Sequence, residues 1–449
     1  MDRDRAMSRA EAVLGLCPAG LEAEVLLAGG RLDLTRFAQD RIHQNVSEDD
    51  ILCSIRLQEG KRAARVSLNG TDPERARLAV RDCHEALRAS PEVPELLPLP
   101  GPQSYREIAG TDPATTEVTP EERAERVSEA VAIGRQAGLR CAGYLSITSG
   151  TLTSYASLVP FLVANSRGLR AYQWRSEADF VFTCEGEDSS GWAQGISRRF
   201  ADIDVAALAR RATEKARRSA RPIAVDACPR TAVLEPAATG ELLGFLGLIA
   251  FGALEYIEGR SVFSGRLGEK LFPQETNFCE DPYHPALGGR AFDDEGMPRK
   301  RVPLIENGVV AGVVHDRRTA QRAGAETTGH SLAMPNVVGP AVSSLVLHGG
   351  EASPEELIQG VEDGVLVTRF WYVNVVDPAR AILTGMTRDG TFQIQGGELG
   401  SGVRNMRFNQ SVPDLLSNIV ARGRSERTEW GWMPALVVKD FGFSSVTEF

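Results

Sequence analysis

Residues 241–255 read Glu-Leu-Leu-Gly-Phe-Leu-Gly-Leu-Ile-Ala-Phe-Gly-Ala-Leu-Glu. Between the two acids every position is apolar, broken only by Gly244, Gly247 and Gly252. The run is too short to cross a bilayer, which takes about 20 helical residues. A helix that is apolar all round is a core helix, enclosed by other elements. The stretch therefore predicts a buried helix over about 239–257, and the sequence around it must supply the wrapping. From Arg221-Pro222 onward the chain is Gly-rich, with short apolar runs separated by turn residues. Such spacing predicts antiparallel hairpins, with Asn307-Gly308 and Asp389-Gly390 as the clearest turns. Ser353-Pro354-Glu355-Glu356 is a capping box that opens a helix over 354–362, and a third helix is expected over 411–421. Residues 222–449 thus read as a β-rich C-terminal domain around one buried apolar helix.

Upstream, the chain mixes helices and strands. A short helix is expected over Ala10–Leu16. Leu32–Phe37 alternates apolar and polar as a half-buried strand does. Ile51–Leu57 and Ala63–Leu68 flank Gly60-Lys61 as a hairpin. Asp72-Pro73 opens a helix whose stripe is Ala76, Ala79, Val80, Cys83 and Leu87. Pro91, Pro94, Pro98, Pro100 and Pro102 make the next stretch a linker or extended crossing. Thr119-Pro120-Glu121-Glu122 starts a helix to about Ala137. Strands are expected over 142–148, 153–155, 161–164, 169–174 and 178–183. A basic amphipathic helix over Asp204–Ser219 follows, its arginines read as a solvated face. The division is 1–100 (α/β), 101–221 (α+β) and 222–449, and the fold class is α+β with antiparallel sheet.

Composition narrows the function. With 42% hydrophobic and 24% charged residues, the chain is neither disordered nor fibrous. Its net charge of −10 argues against a general nucleic-acid binder, which needs a basic face. The only lysines are Lys61, Lys215, Lys270, Lys300 and Lys439, an Arg-heavy usage that suggests a high-GC bacterial genome. The seven cysteines are scattered without a CxxC pair and read as reduced thiols of a cytoplasmic protein. Met1-Asp2-Arg3-Asp4-Arg5 has no apolar core of a secretory signal.

The residues alone offer no catalytic set. None of the six histidines sits three or four positions from another, and there is no HExxH or HExxxH. Cys279 with His284 is the nearest His/Cys pairing, in a Pro-rich loop. His315-Asp316 would point to opposite faces of a strand. Phe263-Ser264-Gly265 lacks the strand-to-helix elbow of a hydrolase nucleophile. Gly396-Gly397-Glu398-Leu399-Gly400-Ser401-Gly402 resembles a nucleotide loop only loosely. His330, between Gly329 and Ser331, is the lone histidine most suited to substrate contact. Asp293 and Asp294 are further candidates.

Several strings, taken in order, resemble the TldD/PmbA family. They are Thr35-Arg36-Phe37-Ala38, Ile42-His43-Gln44-Asn45, Val163-Ala164-Asn165-Ser166-Arg167-Gly168-Leu169, Ser190-Gly191-Trp192, Ser261-Val262-Phe263-Ser264-Gly265, Phe292-Asp293-Asp294-Glu295-Gly296, Leu304-Ile305-Glu306-Asn307-Gly308, Thr328-Gly329-His330 and the segment from Ser411 to Ile419. The resemblance implies a zinc metallopeptidase built from a TldD-like and a TldE/PmbA-like subunit. In the catalytic member, HExxxH precedes the Ser-Val-Phe-Ser-Gly string, and a downstream cysteine completes the zinc site. Counting back from Ser261 places the two histidines and the glutamate on Gly244, Ile249 and Phe245. The stretch matching the cysteine holds Gly385, Met386 and Thr387. None of these side chains can supply the set of donors that zinc requires. The resemblance therefore implies a non-catalytic subunit without catalytic or metal residues of its own, pairing with a TldD-like, HExxxH-bearing, zinc-binding subunit as a heterodimer. Its substrates would be unfolded or leader peptides, with His330, Gly329 and Ser331 as substrate contacts. In isolation the chain could form a homodimer, and neither nucleic acid nor membrane is an expected partner. The alternative is a stand-alone enzyme on the same fold, with altered chemistry in peptide or natural-product maturation.

Overall fold

The computed structural model describes residues 1–150 and 159–446, and of residues 151–158 only the pairing of Thr153–Ser154 with Ser157–Leu158. The apolar stretch forms the helix Pro236–Ala250, with Leu242, Leu243 and Leu246 fully buried. It lies against the strands Asp363–Asp377 and Gly431–Val446 of an 11-stranded sheet. Pairing runs from Pro229–Leu234 through Asp363–Asp377, Ile382–Gln395 and Met406–Ser411 to Gly431–Val446, and from there back to Pro229–Leu234. These strands close into a small barrel, which removes their edges. Closure needs one parallel pair, Ala232–Leu234 beside Val365–Val367. The core seals with Phe251, Phe263, Phe278, Phe408 and Phe441.

The two upstream segments share a single 8-stranded sheet. Its central strand, Glu22–Ala38, pairs with Arg41–Glu59 on one side and Arg140–Gly150 on the other. The sheet therefore combines strands from before and after the Pro-rich crossing near residue 100, which itself contributes none. On one face, Leu145, Ile147, Ala178, Phe180 and Phe182 are buried in a core that also takes in Val127 and Ala130 of the helix Pro120–Gln136 and Ala209 and Ala212 of Val205–Arg218. Side chains alternate along a strand, so the intervening residues point the other way, toward the C-terminal domain. The helix Pro73–Ala89 is capped by Asp72 and buries Ala76, Ala79, Val80, Cys83 and Leu87, the stripe its spacing predicts.

Some local expectations need correction. The first helix spans Arg3–Leu14, not Ala10–Leu16. The apolar helix stops at Ala250, and Ala253–Ile257 is a separate short helix. At Gly252 between them a Cβ would lie 2.3 Å from Glu255 and 2.9 Å from the Pro340 carbonyl, so close approach rather than helix dictates the backbone. The third predicted helix shrinks to Val412–Ser417, because the strand Ile419–Thr428 claims the remainder. Asp389-Gly390 is no hairpin turn. Both residues have positive φ and lie inside the strand Ile382–Gln395, where the Asp389 carboxylate receives Arg369 from the neighbouring strand. The hairpin forms at Gly396-Gly397 instead, joining that strand to Glu398–Gly402. Arg211 does not face solvent alone; it and Lys215 both reach Glu235 of the C-terminal domain. No helix among the described residues is long and apolar enough to cross a membrane.

Candidate functional site

Between the free face of the 8-stranded sheet and the apolar helix lies a cavity of about 560 Å³, within the usual range for small-molecule sites. Register explains its floor. Leu34, Ser146, Asp179 and Ile196 stand in one row across four strands, and Leu32, Thr148 and Glu177 in the next. Its roof is Gly244 and Leu248, one helical turn apart, with Trp430 from the turn after Ile419–Thr428. All three segments of the chain thus meet here.

The roof is where the resemblance would put a metal. A Cβ on Gly244 would sit 2.1–2.6 Å from ring atoms of Trp430, so the indole fills the space of any side chain at that position. Trp430 is held by its Nε1, which donates to Glu241 at 3.0 Å, and it packs on Phe245 with ring centroids 5.6 Å apart. Phe245 is buried, and Ile249 packs against the same core. The stretch near the expected cysteine is equally committed to packing. A Cβ on Gly385 would meet Phe408 at 2.8 Å, and the Thr387 hydroxyl accepts from the Met406 amide. Gly244, Phe245 and Ile249 carry no lone pair for zinc, so these residues do not fit the metal. Among the described residues, no three His, Cys, Asp or Glu side chains converge as a metal group.

The cavity is electrically two-ended. On the strand Arg175–Glu185, Arg175, Glu177 and Asp179 share the cavity face. Arg175 is 8% exposed and donates to the Leu287 carbonyl, while its Nε has no partner. Burial lowers its pKa to about 9, although Glu177 opposes the shift. Glu177 itself is engaged by Arg427 at 3.2 Å, and Arg290 by Asp294 at 2.7 Å. At the other end, Asp179 accepts from Tyr144 at 2.7 Å and Gln194 at 3.0 Å. Burial raises Asp179 to about 6, against those two hydrogen bonds. Burial also raises nearby Glu429.

The structure places His330, Gly329 and Ser331 in the interior, and none of them lines this cavity. The His330 Nδ1 meets the Thr328 hydroxyl at 2.9 Å, and its Nε2 lies 3.3 Å from Glu280. Glu280 also receives Arg299 at 3.1 Å and the amides of Ser343 and Ser344 at 3.0 and 2.8 Å. The Ser331 amide donates to Asp293, which also caps the amides of Glu295 and Met297. The role chosen from sequence, substrate contact, has no open surface here; these residues tie loops together behind the cavity wall. Their web includes Asp293, which burial raises to about 7. Sequence reasoning missed Glu280 and Arg299 altogether. Cys279 and His284 lie apart from the web, and His315 touches it only through its backbone. Cys279 is contacted by Arg301, His284 packs at a tilt on Trp432, and the His315 amide donates to the Thr328 hydroxyl.

Burial, then the charge of Arg299, lowers the pKa of His330 to about 4, against the pull of Glu280. In the folded chain the ring therefore stays neutral between about pH 6.5 and 4, where an unfolded histidine takes up a proton. The contribution to stability is complete above that window and is lost as pH falls through it. His330→Gln should remove this dependence. Between pH 7 and pH 5 the variant should lose about 2 kcal/mol less stability than the parent, read from urea midpoints. An equal loss in both proteins would refute the assignment.

Comparison with known proteins places this architecture. The central domain described as PmbA/TldA metallopeptidase matches residues 113–220, and the C-terminal domain of the same description matches residues 228–445. A metalloprotease of Methanothermobacter thermautotrophicus is 29% identical over 51% of this chain and 50% of its own. The matched stretch thus spans about half the length of that relative. The metalloprotease PmbA of Escherichia coli O157:H7 is 24% identical over 70% of this chain and 67% of its own. The crystal structure of TldE from Thermococcus kodakarensis superposes with a TM-score of 0.84 at 20% identity, covering 98% of this chain and 100% of the other, and so shares the fold. With two successive domains matched over most of its length, this chain belongs to the PmbA/TldD metallopeptidase family.

Proposed function

We propose that this chain is the non-catalytic, TldE/PmbA-like subunit of a cytoplasmic heterodimeric zinc metallopeptidase. The partner is an HExxxH-bearing TldD-like subunit that holds the zinc, and the substrates are unfolded or leader peptides. One observation carries the reading: Trp430 occupies the space above Gly244 that a first metal ligand would need. Phe245 and Ile249, at the other two motif positions, pack into the core. A chain that had only lost its histidines would have a vacancy here, whereas this one is filled by an indole with its own hydrogen bond. The test is to purify the chain alone and co-expressed with an HExxxH-bearing family member. Chelator-sensitive cleavage of an unstructured peptide is expected only from the co-purified pair. Equal cleavage by the chain alone, or failure of the two to co-purify, would overturn the proposal.

A further inference from the structure

The cavity contains a cation without a counter-charge. Among the described residues no carboxylate lies within ion-pair reach of Arg175, although the side chain is 8% exposed and borders the void. The acid that acts on it, Glu177, is already committed to Arg427. Burying an unpaired guanidinium is costly, and its free Nε has no partner. The opposite end has the reverse imbalance. Asp179 and Glu429 both border the void, Glu429 adds to the upward shift of Asp179, and among the described residues neither has a cation within ion-pair distance. Arg175 and Asp179 are four positions apart on one strand and face the same way, which separates their backbones by about 13 Å.

We infer that this cavity is a receptor for a short peptide with free ends, whose terminal carboxylate pairs with Arg175 and whose amine faces Asp179 and Glu429. An extended tripeptide spans about 11 Å, so three or four residues bridge the two ends once the side chains reach in. The floor offers Ser146 and Thr148 to a peptide backbone, and Leu248 and Trp430 offer apolar contact from the roof. A planar guanidinium suits a carboxylate because two parallel N–H donors match its two oxygens. The inference rests on the peptide-handling reading above but needs neither zinc nor partner.

The test uses the full chain alone and isothermal titration calorimetry with trialanine as free acid, as C-terminal amide and as N-acetyl acid. The free acid should bind at least about tenfold more tightly than the amide, the size expected for one charge-assisted pair. The N-acetyl form should also bind more weakly than the free acid. Arg175→Gln should abolish the preference for acid over amide while leaving amide binding in place. Acetate and inorganic phosphate serve as controls; displacement of the tripeptide by either at equal concentration would show a simple anion site and overturn the inference. Equal binding of acid and amide by the unaltered chain would overturn it without any variant. If that occurs in a chain that still assembles into an active peptidase, this inference alone fails. Selective binding by a chain that forms no peptidase would instead count against the proposed function.

Discussion

Glu280→Ala should destabilise the fold by about 3–5 kcal/mol, the cost of removing one partner from a buried charge cluster. Glu280 is fully buried and is the common acceptor for Arg299 and the amides of Ser343 and Ser344, with His330 alongside. Its removal leaves the Arg299 guanidinium, 2% exposed, without its charge partner, and strands two backbone donors. The affected loops adjoin the cavity, since Ser343 and Ser344 form part of its wall. Glu326→Ala is the matched control. Glu326 is exposed and pairs with half-exposed Lys300 at 2.8 Å, so its loss should leave the stability nearly unchanged. Urea unfolding of the two variants measures the difference. Similar, small losses in both would mean that Glu280 is not the hub described.

The second large effect is a reversal of sign at Gly244. Placing any Cβ there drives it into Trp430, so Gly244→Ala should cost about 1–3 kcal/mol as overpacking. The indole can escape only by giving up its bond to Glu241. In a Trp430→Ala background the obstruction is gone. Glycine inside a helix is worse than alanine by roughly 0.5–1 kcal/mol, so the same Gly244→Ala change should then stabilise. A double-mutant cycle by thermal or urea unfolding reads the coupling directly. If Gly244→Ala has the same effect in both backgrounds, Trp430 does not fill this site.

Much of this was legible in the sequence wherever the signal is local. The stripe from Ala76 to Leu87, the caps at Asp72 and Ser353 and the existence of a buried apolar helix, though not its bounds, follow from spacing and capping chemistry within one element. The closed barrel was not legible, because the pairing of Ala232–Leu234 with Val365–Val367 joins segments far apart in sequence. Asp389-Gly390 misled because the same dipeptide that makes a hairpin turn also makes a bulge, and Arg369 decides which. The site was legible only in part. Gly244, Phe245 and Ile249 could be named from motif spacing, but the residue that fills the gap, Trp430, is 186 positions from Gly244 and carries no pattern. The Arg175 end of the cavity was invisible for the same reason: a strand residue is defined by the face it takes, and only the register shows that Arg175 and Asp179 share one. His330 drew notice as a lone histidine in a polar turn, yet the partners that bury it, Glu280 and Arg299, come from other strands and loops.

The most direct test of the central claim is the zinc content of the chain purified alone, by elemental mass spectrometry against protein concentration, after equilibration with zinc and removal of the excess. A zinc-to-protein ratio near zero is the result predicted for a subunit whose motif positions hold Gly244, Phe245 and Ile249 beneath Trp430. A ratio near one, retained on gel filtration, would contradict the account, because it would require a ligand set that these residues do not provide.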